Sequence, residues 1–137
     1  MARPSIALAG EADAEYLDLD DLIYLATRLL GDPPPIRDAG LLGSAAARPQ
    51  TMVFGEDAYP DLWTKAAALL QSIVKNHALV DGNKRLGWLS TATFLEINGA
   101  AVTAVPDDEV FRFVVDVAAG SHEIEELATE LRRLTEG

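Results

Sequence analysis

The sequence has no cysteine, only three lysines and no apolar run long enough to cross a membrane. Without cysteine the chain can form no disulfide, no thiolate nucleophile and no cysteine-ligated zinc site, and it suits a reducing cytoplasm. Its apolar stretches are interrupted every few residues by charge or glycine, whereas a membrane-spanning helix needs about 20 apolar residues. We therefore expect a cytoplasmic protein with no membrane partner, stabilised by packing.

Positive charge is also scarce, because 11 Lys and Arg stand against 22 Asp and Glu, for a formal net charge of −11. This balance disfavours direct binding to the phosphates of nucleic acid. All three lysines, Lys65, Lys75 and Lys84, nevertheless lie in one short stretch of the chain that also contains His77 and Arg85. In such an acidic protein, this basic island predicts an anionic ligand.

The length of 137 residues suits one domain with a substantial core. We predict a flexible N-terminal arm at residues 1–17 and a single domain at residues 18–137. Apolar residues recur at helical spacing in six segments: about 18–30, 38–47, 61–76, 82–97, 106–118 and 121–134. Between the second and third, residues 50–61 combine an extended apolar stretch with a glycine turn, which predicts a short irregular or β flap.

The predicted fold is therefore all-α, a compact bundle of about six helices around a buried central helix. The fourth helix is nearly apolar all round, which is typical of a central position. Both tryptophans and three phenylalanines are expected in the core: Trp63, Trp88, Phe94, Phe111 and Phe113.

Residues 82–85 combine groups that bind phosphate at the predicted start of the fourth helix. Free backbone amides at a helix N-terminus attract anions, and Gly82 lets the backbone approach a ligand closely. Asn83 adds a neutral donor or acceptor, Lys84 a compact cation, and Arg85 a planar fork that fits two phosphate oxygens. These four residues are predicted to bind the phosphates of a nucleotide.

Two further residues of the same segment suit phosphate transfer. Asp81 is its one carboxylate, and Mg²⁺ commonly takes one or two protein carboxylates and completes its shell with phosphate and water. His77 could deprotonate a hydroxyl nucleophile, because imidazole exchanges protons near neutral pH. We predict that Asp81 binds Mg²⁺ and that His77 is the catalytic base.

Each of these residues also has a purely structural interpretation. His77 could cap the carboxyl end of the third helix, and Asp81 could cap the start of the fourth. The Asn83 amide could bond to nearby backbone, and Lys84 and Arg85 could form weak surface ion pairs. Two adjacent cations at a helix start oppose the helix dipole, however, which favours an anionic ligand.

The string His77-Ala78-Leu79-Val80-Asp81-Gly82-Asn83-Lys84-Arg85 resembles the signature of the Fic/Doc family. Lys84 places it on the Doc, or death-on-curing, side, since adenylylating members typically have glycine there. Residues 38–50 and 94–99 resemble other parts of Doc-like proteins, so the resemblance covers about residues 18–134. Ala78 and Leu79 depart from the usual pattern, and we expect Leu79 to replace the aromatic residue that anchors the loop to the core.

The resemblance implies the toxin of a toxin–antitoxin system, a protein kinase that inhibits translation. Its substrate would be ATP with Mg²⁺, and its target a hydroxyl of elongation factor Tu. The resemblance further implies that the lysine reverses bound ATP, so that the γ-phosphate faces the target. His77 would be the general base, Asp81 the Mg²⁺ ligand, and residues 83–85 the phosphate binders.

The resemblance also implies a small antitoxin protein as partner. Many Fic proteins inhibit themselves with a helical motif of Ser or Thr, three residues, Glu, then Gly or Asn. The sequence has no full match, and the nearest segment is residues 121–125. An inhibitor supplied by a second protein is therefore expected, with a disordered tail that folds into a groove of the toxin.

Two other functions stay open. The chain could transfer AMP instead of phosphate to a protein. It could also be a catalytically silent binding module, because Ala78 and Leu79 depart from the usual loop.

Overall fold

A computed structural model describes residues 14–102 and 104–136. Six α-helices occupy these ranges: α1 Leu19–Leu30, α2 Ala39–Ala47, α3 Leu62–Asn76, α4 Asn83–Ile97, α5 Asp107–Ala119 and α6 Ile124–Glu136. Between α2 and α3 lie a 3-10 turn, Arg48–Gln50, and an antiparallel hairpin of β1 Met52–Val53 and β2 Glu56–Asp57. The predicted all-α bundle with a short flap is confirmed. Within the described ranges, none of the helices is long and apolar enough to span a bilayer.

Aspartate side chains fix where the first three helices begin. The carboxylates of Asp18, Asp38 and Asp61 each accept a hydrogen bond from the backbone amide three residues later, at 2.9, 3.1 and 2.8 Å. These bonds satisfy amides that would otherwise lack a partner in the first turn. Gly31, with φ 110°, ends α1 just before the three prolines. Asp18 and Asp38 thus cap the starts of α1 and α2.

The central helix is α3, not α4 as the sequence predicts. Of the 15 residues of α3, all but Gln71, Lys75 and Asn76 are buried. In α4 the buried residues are Leu86, Gly87, Ser90, Thr91, Phe94 and Leu95. The prediction fails because one apolar face of α4 lines an open cleft instead of packing in the core. The buried polar side chains of α3, those of Thr64, Lys65 and Ser72, form hydrogen bonds inside the protein, which compensates for their lost hydration.

The last residues of the predicted N-terminal arm pack against the end of α4, while residues 1–13 lie outside the described part of the chain. The Glu15 amide donates to Asn98 Oδ1 at 2.8 Å, and Asn98 Nδ2 donates to the Glu15 carbonyl at 2.9 Å. The ring of Tyr16 stacks on Phe94 with 6.1 Å between centroids, and Leu17 is buried. Residues 15–17 therefore belong to the packed body.

Candidate active site

The loop that joins α3 to α4 carries His77 and is held on one side by residues 36–38. His77 ends α3 in the left-handed conformation, with φ 53° and ψ 45°. Its carbonyl accepts a hydrogen bond from the Arg37 guanidinium, and the next carbonyl, of Ala78, accepts one from the Arg37 amide at 2.8 Å. Leu79 forms an antiparallel bridge with Ile36. These contacts fix the backbone that carries the His77 side chain.

On its other side the loop is held by Asn83. The Leu79 amide donates to Asn83 Oδ1, and Asn83 Nδ2 donates to the Leu79 carbonyl, both at 3.0 Å. Leu79 is 1% exposed, so it anchors the loop to the core, as expected for the residue that replaces the usual aromatic. The Asn83 side chain therefore bonds to nearby backbone, which is the structural alternative to the predicted phosphate binding.

Gly82 begins α4 in a conformation that favours glycine. Its φ is 88°, and a Cβ there would lie 2.8 Å from both methyl carbons of Leu30. No side chain caps this helix and its first turn contains no acidic residue, so the capping role considered for Asp81 is wrong. The first-turn amides are thus available to an anion, which the helix dipole favours at this end.

The charged side chains of the loop are exposed and weakly paired. Arg85 Nη2 lies 3.7 Å from Asp81 Oδ2, with side-chain exposures of 59% and 87%. An exposed pair of this kind contributes little to stability. Within the described ranges, no carboxylate lies within ion-pair distance of Lys84. Lys84 and Arg85 therefore retain donors for a ligand.

The carboxylate of Asp81 fits a metal that arrives with a nucleotide. Across residues 14–102 and 104–136, no three His, Asp or Glu side chains form a ready metal site. Mg²⁺ seldom needs one, because it keeps several waters and takes other ligands from phosphate. An exposed carboxylate beside two cations with unused donors suits that arrangement.

All six predicted site residues, His77 and Asp81 to Arg85, line one cleft of about 1100 Å³. The opposite wall belongs to α5 and includes Phe111, which is 68% exposed. The prediction that Phe111 lies in the core is therefore wrong, because α5 turns this face toward the cleft. Trp88 is only partly buried and also lines the cleft. Trp63, Phe94 and Phe113 are buried as predicted.

The basic island of the sequence does not form one site. Lys65 is fully buried and contacts the Tyr59 carbonyl and Asp57, and neither Lys65 nor Lys75 lines the cleft. A helix rises about 1.5 Å per residue, which puts Lys65 roughly 18 Å from His77 along α3. The prediction of one anionic site from closeness in sequence is therefore wrong for Lys65 and Lys75.

Two residues at this site, Arg37 and Trp88, are not among the site residues predicted from the sequence. Trp88 follows Lys84 by four residues and so shares its face of α4, a spacing that could have identified it. Arg37 lies 40 residues before His77, and nothing in the local pattern links the two.

Comparison with known proteins agrees with this geometry. Residues 16–95 match the family described as Fic/DOC family. The chain is 48% identical over 118 residues to a protein named Toxin Doc from Mycolicibacterium smegmatis, an alignment that covers 85% of this chain and 91% of that protein. The chain therefore belongs to the Fic/DOC family, and its similarity is to the Doc-type toxins.

Proposed function

We propose that this chain, as the toxin of a toxin–antitoxin system, transfers the γ-phosphate of ATP to a hydroxyl group of a target protein. The observation that carries the proposal is the position of Lys84, exposed on the cleft beside Arg85 and beside uncapped amides of α4. Three kinds of phosphate-binding group thus converge at one end of the cleft, and His77 lines the same cleft.

In the proposed reaction, His77 accepts the proton of the target hydroxyl as its oxygen attacks the γ-phosphorus. The new oxygen–phosphorus bond forms while the bond to the β-phosphate bridging oxygen breaks, and ADP leaves. Lys84, Arg85 and the first amides of α4 stabilise the charge on the phosphate oxygens, which is the main catalytic task in phosphoryl transfer. Mg²⁺, when bound with the nucleotide through Asp81, would supply further charge neutralisation.

Phosphate transfer is favoured over AMP transfer by the presence of lysine where adenylylating relatives have glycine. The Lys84 side chain occupies space at the phosphate end of the cleft and adds a cation there. We propose elongation factor Tu as the target, which would inhibit translation; this rests on the family resemblance alone. A small antitoxin is proposed as partner, supported by the similarity to Toxin Doc.

The test is incubation of the purified protein with elongation factor Tu and ATP labelled at either the α or the γ position. Transfer of the γ label, with a mass increase of one phosphate, is expected. Transfer of the α label with a mass increase of AMP would replace the proposal with nucleotidyl transfer. Absence of both modifications would contradict elongation factor Tu as target.

A growth assay separates enzyme from binding module. His77→Ala should abolish growth inhibition while the fold stays intact by circular dichroism. The matched control is His122→Ala, which removes the other histidine of the chain, where Nε2 lies 3.2 Å from Asp116. The control should remain toxic. Equal toxicity of the His77→Ala variant and wild type would refute the enzymatic proposal.

A further inference from the structure

The cleft has two unlike halves, and the proposed reaction uses only one. The first half is polar and contains His77 and residues 81–85. The second half lies between α4 and α5 and is lined by apolar side chains, among them Trp88, Leu89, Ala92, Val110, Phe111 and Val114. Phosphate chemistry gives no reason for an open apolar surface of this kind, and such surfaces commonly mark a binding site.

Two aromatic side chains border the apolar half. Trp88 packs partly against the core and leaves the rest of its surface on the cleft. It lies one helical turn beyond Lys84 on the same face of α4, about 6 Å along the helix axis. Phe111 lines the cleft from α5 and is 68% exposed. A ligand held by its phosphates at the start of α4 would therefore extend along the helix toward an indole.

We propose that the apolar half of the cleft binds the base of the nucleotide and that Trp88 is its stacking surface. This inference rests on the proposed function, which brings a nucleoside triphosphate to the cationic half. A base is planar and stacks on aromatic side chains, whereas its phosphates require the cations at the other end. The continuity of the two halves within one cleft of about 1100 Å³ favours a single ligand that joins both chemistries.

Stacking predicts that the base itself contributes to affinity. In isothermal calorimetry, ATP should bind wild type more tightly than inorganic tripolyphosphate does. Trp88→Ala should weaken ATP binding on the order of 10- to 100-fold, the range for loss of one base stack, and leave tripolyphosphate binding unchanged. Trp88→Phe should retain most of the ATP affinity, because phenylalanine also stacks.

Fluorescence gives a second measurement, because the chain has only two tryptophans. Trp63 is buried in α3, lies 5.9 Å below the Arg132 guanidinium and does not line the cleft. ATP should quench the emission of a Trp63→Phe protein, which reports Trp88, and should leave that of a Trp88→Phe protein unchanged. Tripolyphosphate should quench neither.

Equal affinities of wild type for ATP and tripolyphosphate, or equal weakening of both ligands by Trp88→Ala, would overturn the inference. A polypeptide would then replace the nucleotide base as the proposed occupant of the apolar half. Failure of the proposed function looks different: ATP would bind with the predicted dependence on Trp88, yet no γ-phosphate would reach a protein. Normal phosphate transfer by Trp88→Ala with an unchanged KM for ATP would refute the base site alone.

Discussion

In the region beneath the hairpin, which comprises Arg48, Asp57, Tyr59 and Lys65, both cations bind protein partners. At the start of α4, Lys84 and Arg85 instead line an open cleft. Arg48 donates to Tyr59 Oη at 2.9 Å, Gln71 Oε1 at 2.8 Å and Ser72 Oγ at 3.1 Å, and its guanidinium lies 5.4 Å from the centre of the Tyr59 ring. Lys65 is fully buried. Against these contacts, Arg85 has one ion pair at 3.7 Å.

The difference shows how the same residue types can be engaged in structural contacts in one place and remain available to a ligand in the other. A buried cation must be paired, because an unpaired one would lose its hydration without compensation. Its donors are then used, and a ligand could bind only by breaking existing bonds. An exposed cation with unused donors has no such obstacle. The state of the donors, more than closeness in sequence, therefore separates the structural lysine, Lys65, from Lys84, the lysine proposed to bind a ligand.

The largest expected contrast is between Lys65→Met and Lys84→Met. The first leaves the Tyr59 carbonyl and Asp57 without their donor, and should lower the free energy of unfolding by about 2–3 kcal/mol. The second should change it by less than about 0.5 kcal/mol, since the side chain is exposed, but should slow phosphate transfer on the order of 100-fold. Urea unfolding and γ-label transfer measure the two effects. A Lys84→Met protein as unstable as Lys65→Met would contradict the distinction.

Much of the fold follows from local rules that the sequence displays. Helix boundaries are predictable because Asp18, Asp38 and Gly31 act on their own neighbouring backbone. The segment from His77 to Arg85 is predictable for the same reason, since a nine-residue loop and helix start bring its groups together without help from distant residues. All of its predicted site residues do line one cleft.

What the sequence could not reveal depends on contacts between distant segments. The brace from Arg37 to His77 spans 40 residues. The surroundings of Lys65 include the Tyr16 ring, whose centre lies 6.0 Å from its ammonium nitrogen although Tyr16 is far away in the sequence. Phe111 has the composition of a core residue, and only the packing of α5 beside α4 leaves it exposed. Local pattern records how apolar a residue is, but not whether a neighbouring element covers it.

The second contrast concerns two glycines with positive φ, Gly82 in the cleft loop and Gly55 in the hairpin. Gly82→Ala must strain the backbone and also displace Leu30, so we expect a loss of about 2–3 kcal/mol in unfolding free energy. Gly55→Ala, with φ 81° and nothing within 4 Å of the new Cβ, should lose only about 1 kcal/mol. Thermal unfolding of both variants tests this. Equal losses would mean that the contact with Leu30 does not matter.

The third contrast lies within the loop, where Asn83 is held in place as firmly as the residues beneath the hairpin. Asn83→Ala removes both bonds to Leu79 and should cost about 1–2 kcal/mol of unfolding free energy. Asn83→Asp keeps an acceptor for the Leu79 amide but loses the donor to its carbonyl, so its loss should be smaller than that of alanine. Urea unfolding ranks the variants. A stable Asn83→Ala protein with impaired ATP binding would instead indicate that the side chain binds phosphate.

The smallest effect is a change in the pH dependence of stability, which reports how well water is excluded from the region beneath the hairpin. Burial, with a smaller contribution from Asp57, raises the pKa of Tyr16 above the ordinary tyrosine value of 10.0. A raised pKa in the folded state means that the contribution of this group to stability is complete below pH 10.0 and is lost as pH rises through the folded value.

Wild type should therefore lose unfolding free energy between about pH 9 and pH 11, and Tyr16→Phe should lose less over the same interval. Tyr24→Phe, which alters a tyrosine that is 62% exposed, is the control and should follow wild type. Lys65 Nζ lies 6.0 Å from the centre of the Tyr16 ring, so the experiment probes the surroundings of the buried lysine directly. Identical pH dependence of wild type and Tyr16→Phe would show that water reaches Tyr16 as readily in the folded as in the unfolded chain. The region beneath the hairpin would then be as open as the cleft, and burial would no longer distinguish Lys65 from Lys84.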